Sequence, residues 1–264
     1  MKYEELFNNK DTIFHYTKLE TALEKILKNK QLRFTKYEDS KDPHESNKRN
    51  FALQSSIIDN ENEFWRQRDS SEKEINFIIQ QKLRMACFCR NKPNYPGYKR
   101  SRMWSQYADN HRGICFAFSK KALQKAVRKQ FKSDFKKNGI VKYYPHKDSR
   151  IDKMYKYQAS TINYSDFDCD YDIIKKHLEI NYKYLFFKKH LDYRDEAEYR
   201  FIVLDMDNKF EDLVISDCLV GIILGHSFPS IYLSIVESIK SDFKNIIIRD
   251  QVRICDDGKI TLSR

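Results

Sequence analysis

Apolar positions recur along this chain at spacings that assign most of its elements. Leu19, Ala22, Leu23, Ile26 and Leu27 fall on one face at helical spacing and predict an amphipathic helix from Leu19 to Lys28. Thr17 stands where an N-cap would, with Glu20 three positions later in capping-box register. β-like runs flank this helix, Thr12-Ile13-Phe14 before it and Leu32-Arg33-Phe34-Thr35 after it. A charged stretch from Lys36 to Ser71 follows, turned at Asp42-Pro43. Within it Phe51, Leu53, Ile57, Ile58 and Phe64 predict a helix laid across the core, and a further helix starts near Glu72 and runs into Leu83.

Downstream the pattern changes period several times. Met85 to Arg90 reads as a strand, Asn91 to Arg102 as a basic, tyrosine-bearing loop, and Met103 to Ala108 as a helical turn. Ile114-Cys115-Phe116-Ala117-Phe118 is a buried strand, and Ser119 caps a helix carrying Ala122, Leu123, Ala126 and Val127. β character returns from Ile140 to Tyr144. Ile174, Leu178, Tyr182 and Leu185 predict a helix from Asp172 to His190, and the alternation of Tyr199, Phe201 and Val203 predicts a strand. Leu219 to Leu224 is a strand ending in Gly225, a helix runs from Pro229 to Phe243, and Ile246-Ile247-Ile248-Arg249 is β-like. The mixture is that of an α+β fold. With no internal repeat and no Pro/Gly-rich linker, residues 1–264 read as a single domain with a helical insertion around 44–84.

Composition narrows the class. The 41% hydrophobic content supports a real core. Lys+Arg of 49 against Asp+Glu of 38 gives a net charge of +11, which attracts polyanions and fits equally a solvated lysine-rich surface. The cysteines, at 87, 89, 115, 169, 218 and 255, form no Cys-x-x-Cys pair, and the histidines at 44, 146, 177, 190 and 226 show no ligand spacing. Cys87 and Cys89 would share a strand face, where two thiols either meet a metal or behave as small buried hydrophobes. No signal-like N-terminus and no membrane-length apolar run occurs, so a reduced, cytoplasmic location is expected.

Chemistry concentrates in two short segments, His15-Tyr16-Thr17 and Glu196-Ala197-Glu198. The second opens a strand, so both carboxylates are expected on one strand face. They would either perform acid–base work or form a surface ion-pair ladder with Arg194 and Arg200. Around Arg100, Arg102, Trp104, Tyr107 and His111, aromatics beside a basic loop suit base stacking, while the three-residue spacing of Trp104 and Tyr107 equally suits a packed turn. A metal-dependent nuclease built on Asp195, Glu196 and Glu198 lacks a second acidic group at a recognisable spacing.

Taken together, His15-Tyr16-Thr17, Leu32-Arg33-Phe34-Thr35, Asp42-Pro43, Met103-Trp104-Ser105-Gln106-Tyr107-Ala108 with His111 and Gly113, Glu196-Ala197-Glu198-Tyr199-Arg200 and Gly221-Ile222-Ile223-Leu224-Gly225 resemble a widespread bacterial and phage family of unknown function over nearly the whole chain. More distantly, the strand, His-x-Thr, helix, strand opening and the late Glu-x-Glu are similar to ADP-ribosyltransferases that modify nucleic acids or remove RNA phosphates. That resemblance implies a mixed, split β-sheet core flanked by helices, with NAD as co-substrate and no metal. It implies Glu198 as the catalytic carboxylate and Glu196 as the group activating the acceptor. It further implies a cofactor site of His15, Tyr16, Thr17, Thr35 and Tyr37, with Tyr16 or Tyr37 stacking on nicotinamide. An acceptor surface would fall at Arg100, Arg102, Trp104, Tyr107 and His111, the acceptor being RNA or DNA. A toxin or phage-defence effector, with an antitoxin as a partner, is the implied setting, and no middle tyrosine motif of the polymerase-type enzymes is present. The alternative is a non-catalytic basic nucleic-acid-binding protein.

Overall fold

Apolar runs too long for a half-solvated sheet become its interior strands. A computed structural model describes residues 3–55, 61–145, 157–164, 171–207, 212–243, 246–249, 252–254 and 260–262. Its main sheet is eight-stranded: β1 (Thr12–Thr17), β2 (Thr35–Lys36), β3 (Leu83–Arg90), β4 (Ile114–Ser119), β5 (Lys136–Ile140), β6 (Glu198–Leu204), β7 (Leu219–Leu224) and β8 (Ile247–Arg249). The order is β8-β7-β4-β1-β3-β6-β5, with β2 added to β3. Only the β7–β8 pairing is parallel among these, so the sheet is mixed and the fold α+β. β4 is buried along nearly its full length, which is why it reads as a continuous apolar run; β6, legible only as an alternation, is buried throughout as well, with Glu198 and Arg200 enclosed in it.

Side-chain alternation sends these strands into three cores. Ile13, Phe88, Phe116, Phe118 and Phe201 pack on one face with Ala22, Ile26, Leu123 and Val127 from the flanking helical segments. Phe14, Tyr16, Cys89 and Ala117 face the other way, against Met103 and Trp104. Ile202, Leu204 and Met85 meet Ile174, Leu178, Phe186 and Phe187 in the third. Burial of each such side chain is worth about 1.5–3 kcal/mol, so the sheet is held mainly by these contacts.

Several elements differ from the sequence expectation for identifiable reasons. Thr17 is the last residue of β1, paired with Ile114, and the helical segment begins beyond it, with a wide i→i+5 turn over Thr21–Leu27. The run from Leu32 to Thr35 breaks in two. Gln31–Leu32 pairs with Leu213–Val214, and Thr35–Lys36 pairs with β3. Leu53 belongs to the strand Ala52–Ser55, which pairs in parallel with Thr161–Tyr164, Phe51 directly precedes it, and the helix of the insertion is Glu61–Phe77. The predicted helical residues Ile57 and Ile58, together with Cys169, Cys255 and His146, lie outside the described residues. The β region from Ile140 to Tyr144 is interrupted at Val141, Lys142–Tyr144 leaving the main sheet to pair with Lys188–His190. The helix predicted to reach His190 accordingly stops at Phe186.

Candidate active site

β1 and β3 are ladder partners only at Ile13↔Arg90 and Phe14↔Cys89. Further along β3, its partner on that edge is β2, at Thr35↔Met85 and Lys36↔Arg84. Between the two contacts the strands part, and His15 spans the gap, its Nδ1 donating to the Cys87 carbonyl at 3.0 Å. A cleft of about 460 Å³ opens there, and His15, Glu196 and Glu198 are among the residues that line it. Such a volume suits a small molecule or cofactor.

Register explains how the two ends reach this opening. Glu198 lies opposite Cys89, and Cys89 opposite Phe14, so these side chains share a face. His15, one residue on, belongs to the other face, where its ring lies 5.6 Å from Phe88. The cleft therefore cuts between strands instead of lying on one surface of the sheet. His15 and the carboxylates line it without touching: among the described residues no hydrogen bond or ion pair joins them. Since Nδ1 carries the proton donated to Cys87, Nε2 is the lone-pair nitrogen of the neutral ring. Burial lowers the His15 pKa, with the Cys87 carbonyl opposing, so the neutral form prevails near neutrality.

The carboxylate side is a buried charge cluster. Glu198 is 2% exposed and receives Arg200 Nε at 2.5 Å and Nη2 at 3.0 Å, a two-point grip between residues two apart on one strand face. Lys189 Nζ lies 3.0 Å from both Glu196 Oε2 and Glu198 Oε2 and 3.9 Å from Glu45, and Arg200 Nη1 is 2.6 Å from Glu45. Burial opposes ionisation of Glu198, but the Arg200 guanidinium and Lys189 ammonium outweigh it and hold the pKa well below the usual carboxylate range. The Cys87 thiol also bonds this carboxylate, and its own pKa is pushed well up, by burial first and then by Glu198. Glu196 sits on a 3-10 turn, Leu191–Glu196, and Ala197 at φ 43° separates it from β6. The two glutamates thus do not share a strand face as expected; the left-handed residue between them turns both onto Lys189. Tyr107 closes the group, its hydroxyl donating to Glu196 Oε1 at 3.0 Å.

Of the residues singled out from sequence, His15, Tyr16, Thr35, Tyr107, Glu196 and Glu198 line this cleft. Tyr16 does so from a fixed position: its hydroxyl donates to the Gly97 carbonyl at 2.7 Å and its ring meets Trp104 edge-on at 5.1 Å. The others lie elsewhere. Tyr37 is fully buried against Phe186, its hydroxyl taking a bond from Arg49 at 2.9 Å, and burial raises its pKa to about 12. Thr17 is held in β1. Arg100 is 2% exposed and spends its guanidinium on the Asp195 carbonyl at 2.7 Å and the Tyr95 ring at 4.5 Å. Trp104 is fully buried, its Nε1 donating to Tyr98, and His111 stacks on it at 6.0 Å. Arg102 is exposed and donates to the Asp192 carbonyl. The surface ladder with Arg194 and Arg200 is absent in that form, because Arg200 is completely buried.

Sequence reasoning passed over Glu45, Lys189 and Tyr143, whose hydroxyl accepts the Glu198 N–H at 2.9 Å. One signal was available: Lys188-Lys189-His190 directly precedes the acidic turn in a chain otherwise predicted helical there. Glu45, remote in sequence and embedded in a charged stretch, had none. Among the described residues no His, Cys, Asp and Glu group of three or more has metal-holding geometry, and no helix is long and apolar enough to cross a membrane.

A model of a protein family of unknown function, DUF2971, matches residues 103–201. The matched stretch contains Tyr107, Lys189, Glu196, Glu198 and Arg200, and leaves His15 and Glu45 outside it. No curated protein and no solved structure matches the chain.

Proposed function

We infer that the cleft binds NAD and breaks its nicotinamide–ribose bond, transferring ADP-ribose to a nucleic-acid acceptor in the manner of a toxin or phage-defence effector. The observation that carries this reading is the shared opening: His15 from β1, Glu196 from the turn before β6 and Glu198 from the start of β6 line one cleft where the sheet parts. Cleavage of the glycosidic bond develops positive charge on the ribose, so a carboxylate fixed in its ionised form stabilises the transition state more than the ground state. Glu198 meets that condition through Arg200 and Lys189. Three carboxyl groups, Glu45, Glu196 and Glu198, surround the two cations Lys189 and Arg200, a balance that favours a cationic nicotinamide ring and the oxocarbenium that follows it. His15 Nε2 accepts a ribose hydroxyl or a carboxamide N–H. Glu196, bonded by Tyr107 and Lys189, takes the acceptor's proton as the new bond forms at the anomeric carbon.

Labelled NAD incubated with the full chain and pooled RNA, DNA and protein tests this directly. Transfer or nicotinamide release is expected from the native chain, with a loss of about 100-fold or more in Glu198→Gln, the scale of removing one transition-state electrostatic partner. Circular dichroism must show that variant still folded. No product on any pool and no NAD binding by calorimetry would falsify the reading.

A second reading, a binder without catalysis, draws support from the helix Lys120–Gln130. It exposes Lys121, Lys125, Arg128 and Lys129, and no ion pair engages these among the described residues. It predicts salt-sensitive oligonucleotide binding that is indifferent to NAD and to Glu198→Gln.

A further inference from the structure

The two-stranded ribbon of Lys142–Tyr144 and Lys188–His190 borders two cavities, the cleft through Lys189 alone and a second one through Tyr144, Lys188, Lys189 and His190. Its register is Lys188↔Lys142, Lys189↔Tyr143 and His190↔Tyr144. The middle pair belongs to the carboxylate cluster, Lys189 through its ion pairs and Tyr143 through the Glu198 N–H. Alternation sends the outer residues the opposite way. There a second cavity, of about 500 Å³, is lined by Lys188, His190 and Tyr144, with Tyr184 and Arg49 from other elements. Asp42, Glu45 and Lys189 line both cavities and form the partition between them.

The chemistry of this second space is specific. Two tyrosine rings from separate elements flank one ammonium, Lys188 Nζ lying 4.3 Å from the Tyr144 centroid and 4.6 Å from that of Tyr184. Arg49 adds a guanidinium anchored by the Leu185 carbonyl at 2.8 Å. Aromatic faces interleaved with cations are what a stacked base and its phosphate require, and the chain's +11 charge draws such a polyanion in. We propose that this cavity seats a nucleotide of the single-stranded nucleic acid that serves as acceptor, next to the cleft in which NAD is cleaved. Its role as acceptor site rests on the NAD reading; its capacity to bind nucleotide does not.

The experiment is fluorescence anisotropy of the full chain with a labelled single-stranded RNA of about ten nucleotides, within the span such sites cover. Binding is expected, weakened about tenfold or more by Lys188→Gln and by Tyr184→Ala, and weakened less by the double change Lys125→Ala with Arg128→Ala on the basic helix. The proposal is overturned if the helix pair abolishes binding while both cavity variants bind like the native chain, or if no RNA binds. Should a cavity variant lose its circular dichroism signature, photocrosslinking of the native chain to 4-thiouridine RNA decides the matter. Crosslinked peptides holding Tyr144 or Tyr184 support the site, and crosslinks confined to 120–130 defeat it. Neither readout uses NAD, so failure of the cleavage assay and failure of this site remain separate results.

Discussion

Arg200 and Glu198 show how much one pair can decide. Two residues apart on β6, both almost completely buried, they satisfy each other through two contacts while Lys189 and Glu45 complete the cluster. A buried pair gains little over a hydrophobic pair of the same shape, yet removing one partner strands the other charge. Arg200→Met is therefore expected to cost about 3–5 kcal/mol in urea unfolding, well above an ordinary core substitution. A cost under about 1 kcal/mol would show that Glu198 does not depend on it. Acid carries a second signature. The folded-state pKa of Glu198 lies below that of an unfolded glutamate, about 4.3, so its ionised form contributes stability that is fully present above that pH. The contribution is lost as pH falls through the folded value. Stability of the native chain should then drop more steeply than that of Glu198→Gln below about pH 4, as read from thermal midpoints across pH 2–6. Parallel curves for the two proteins would contradict the assignment. Glu198 could be singled out from its Glu-x-Glu-x-Arg setting; that Arg200 is its internal counter-ion could not, since the same letters describe an exposed ladder.

Elements were legible where their burial was simple. β4 and β7, enclosed on both faces, read directly as apolar runs, β6 was legible from the alternation of Tyr199, Phe201 and Val203, and Ser119 was legible as the cap that accepts the Ala122 N–H at 3.3 Å. Short strands were not, because Gln31–Leu32 and Thr35–Lys36 owe their conformation to partners far along the chain. The turn before β4 is the informative middle case. Asp109, Asn110 and His111 all take positive φ, at 50°, 49° and 66°, and polar residues in series are the ones that tolerate it. That turn packs under Gly225, where an added Cβ would lie 2.0 Å from the His111 carbonyl oxygen. Gly225→Ala must displace backbone on one side or the other and is expected to cost about 1–3 kcal/mol, measured as a lowered thermal midpoint. An unchanged midpoint would mean that the 109–111 turn yields freely.

At the scale of the whole molecule, the parting of β1 from β3 is the feature on which function turns. β1 is paired along all six of its residues with β4 on one side but through only two positions with β3 on the other. A ligand seated in that opening contacts both parts of the sheet and adds its binding energy to the folded state alone. NAD at about 100 times its dissociation constant should stabilise the chain by about 2.7 kcal/mol and raise the thermal midpoint by several degrees. The shift should shrink in His15→Ala, a partly buried residue at the edge of the cleft. No shift at any NAD concentration would argue against a dinucleotide in the cleft.

Hydrophobic periodicity by itself determined the α+β class and most of the interior strands, because a residue's own burial leaves its mark on local spacing, while the two segments worth suspecting stood out by their polar residues and by the resemblance those residues carry. Which segments meet was decided only in three dimensions. The strand that departs after Phe14, the left-handed Ala197, and the ribbon that delivers Lys189 between two glutamates all depend on pairings between distant residues. Local composition carries no record of such pairings, since the energy that selects them belongs to the assembled sheet and not to any stretch of chain.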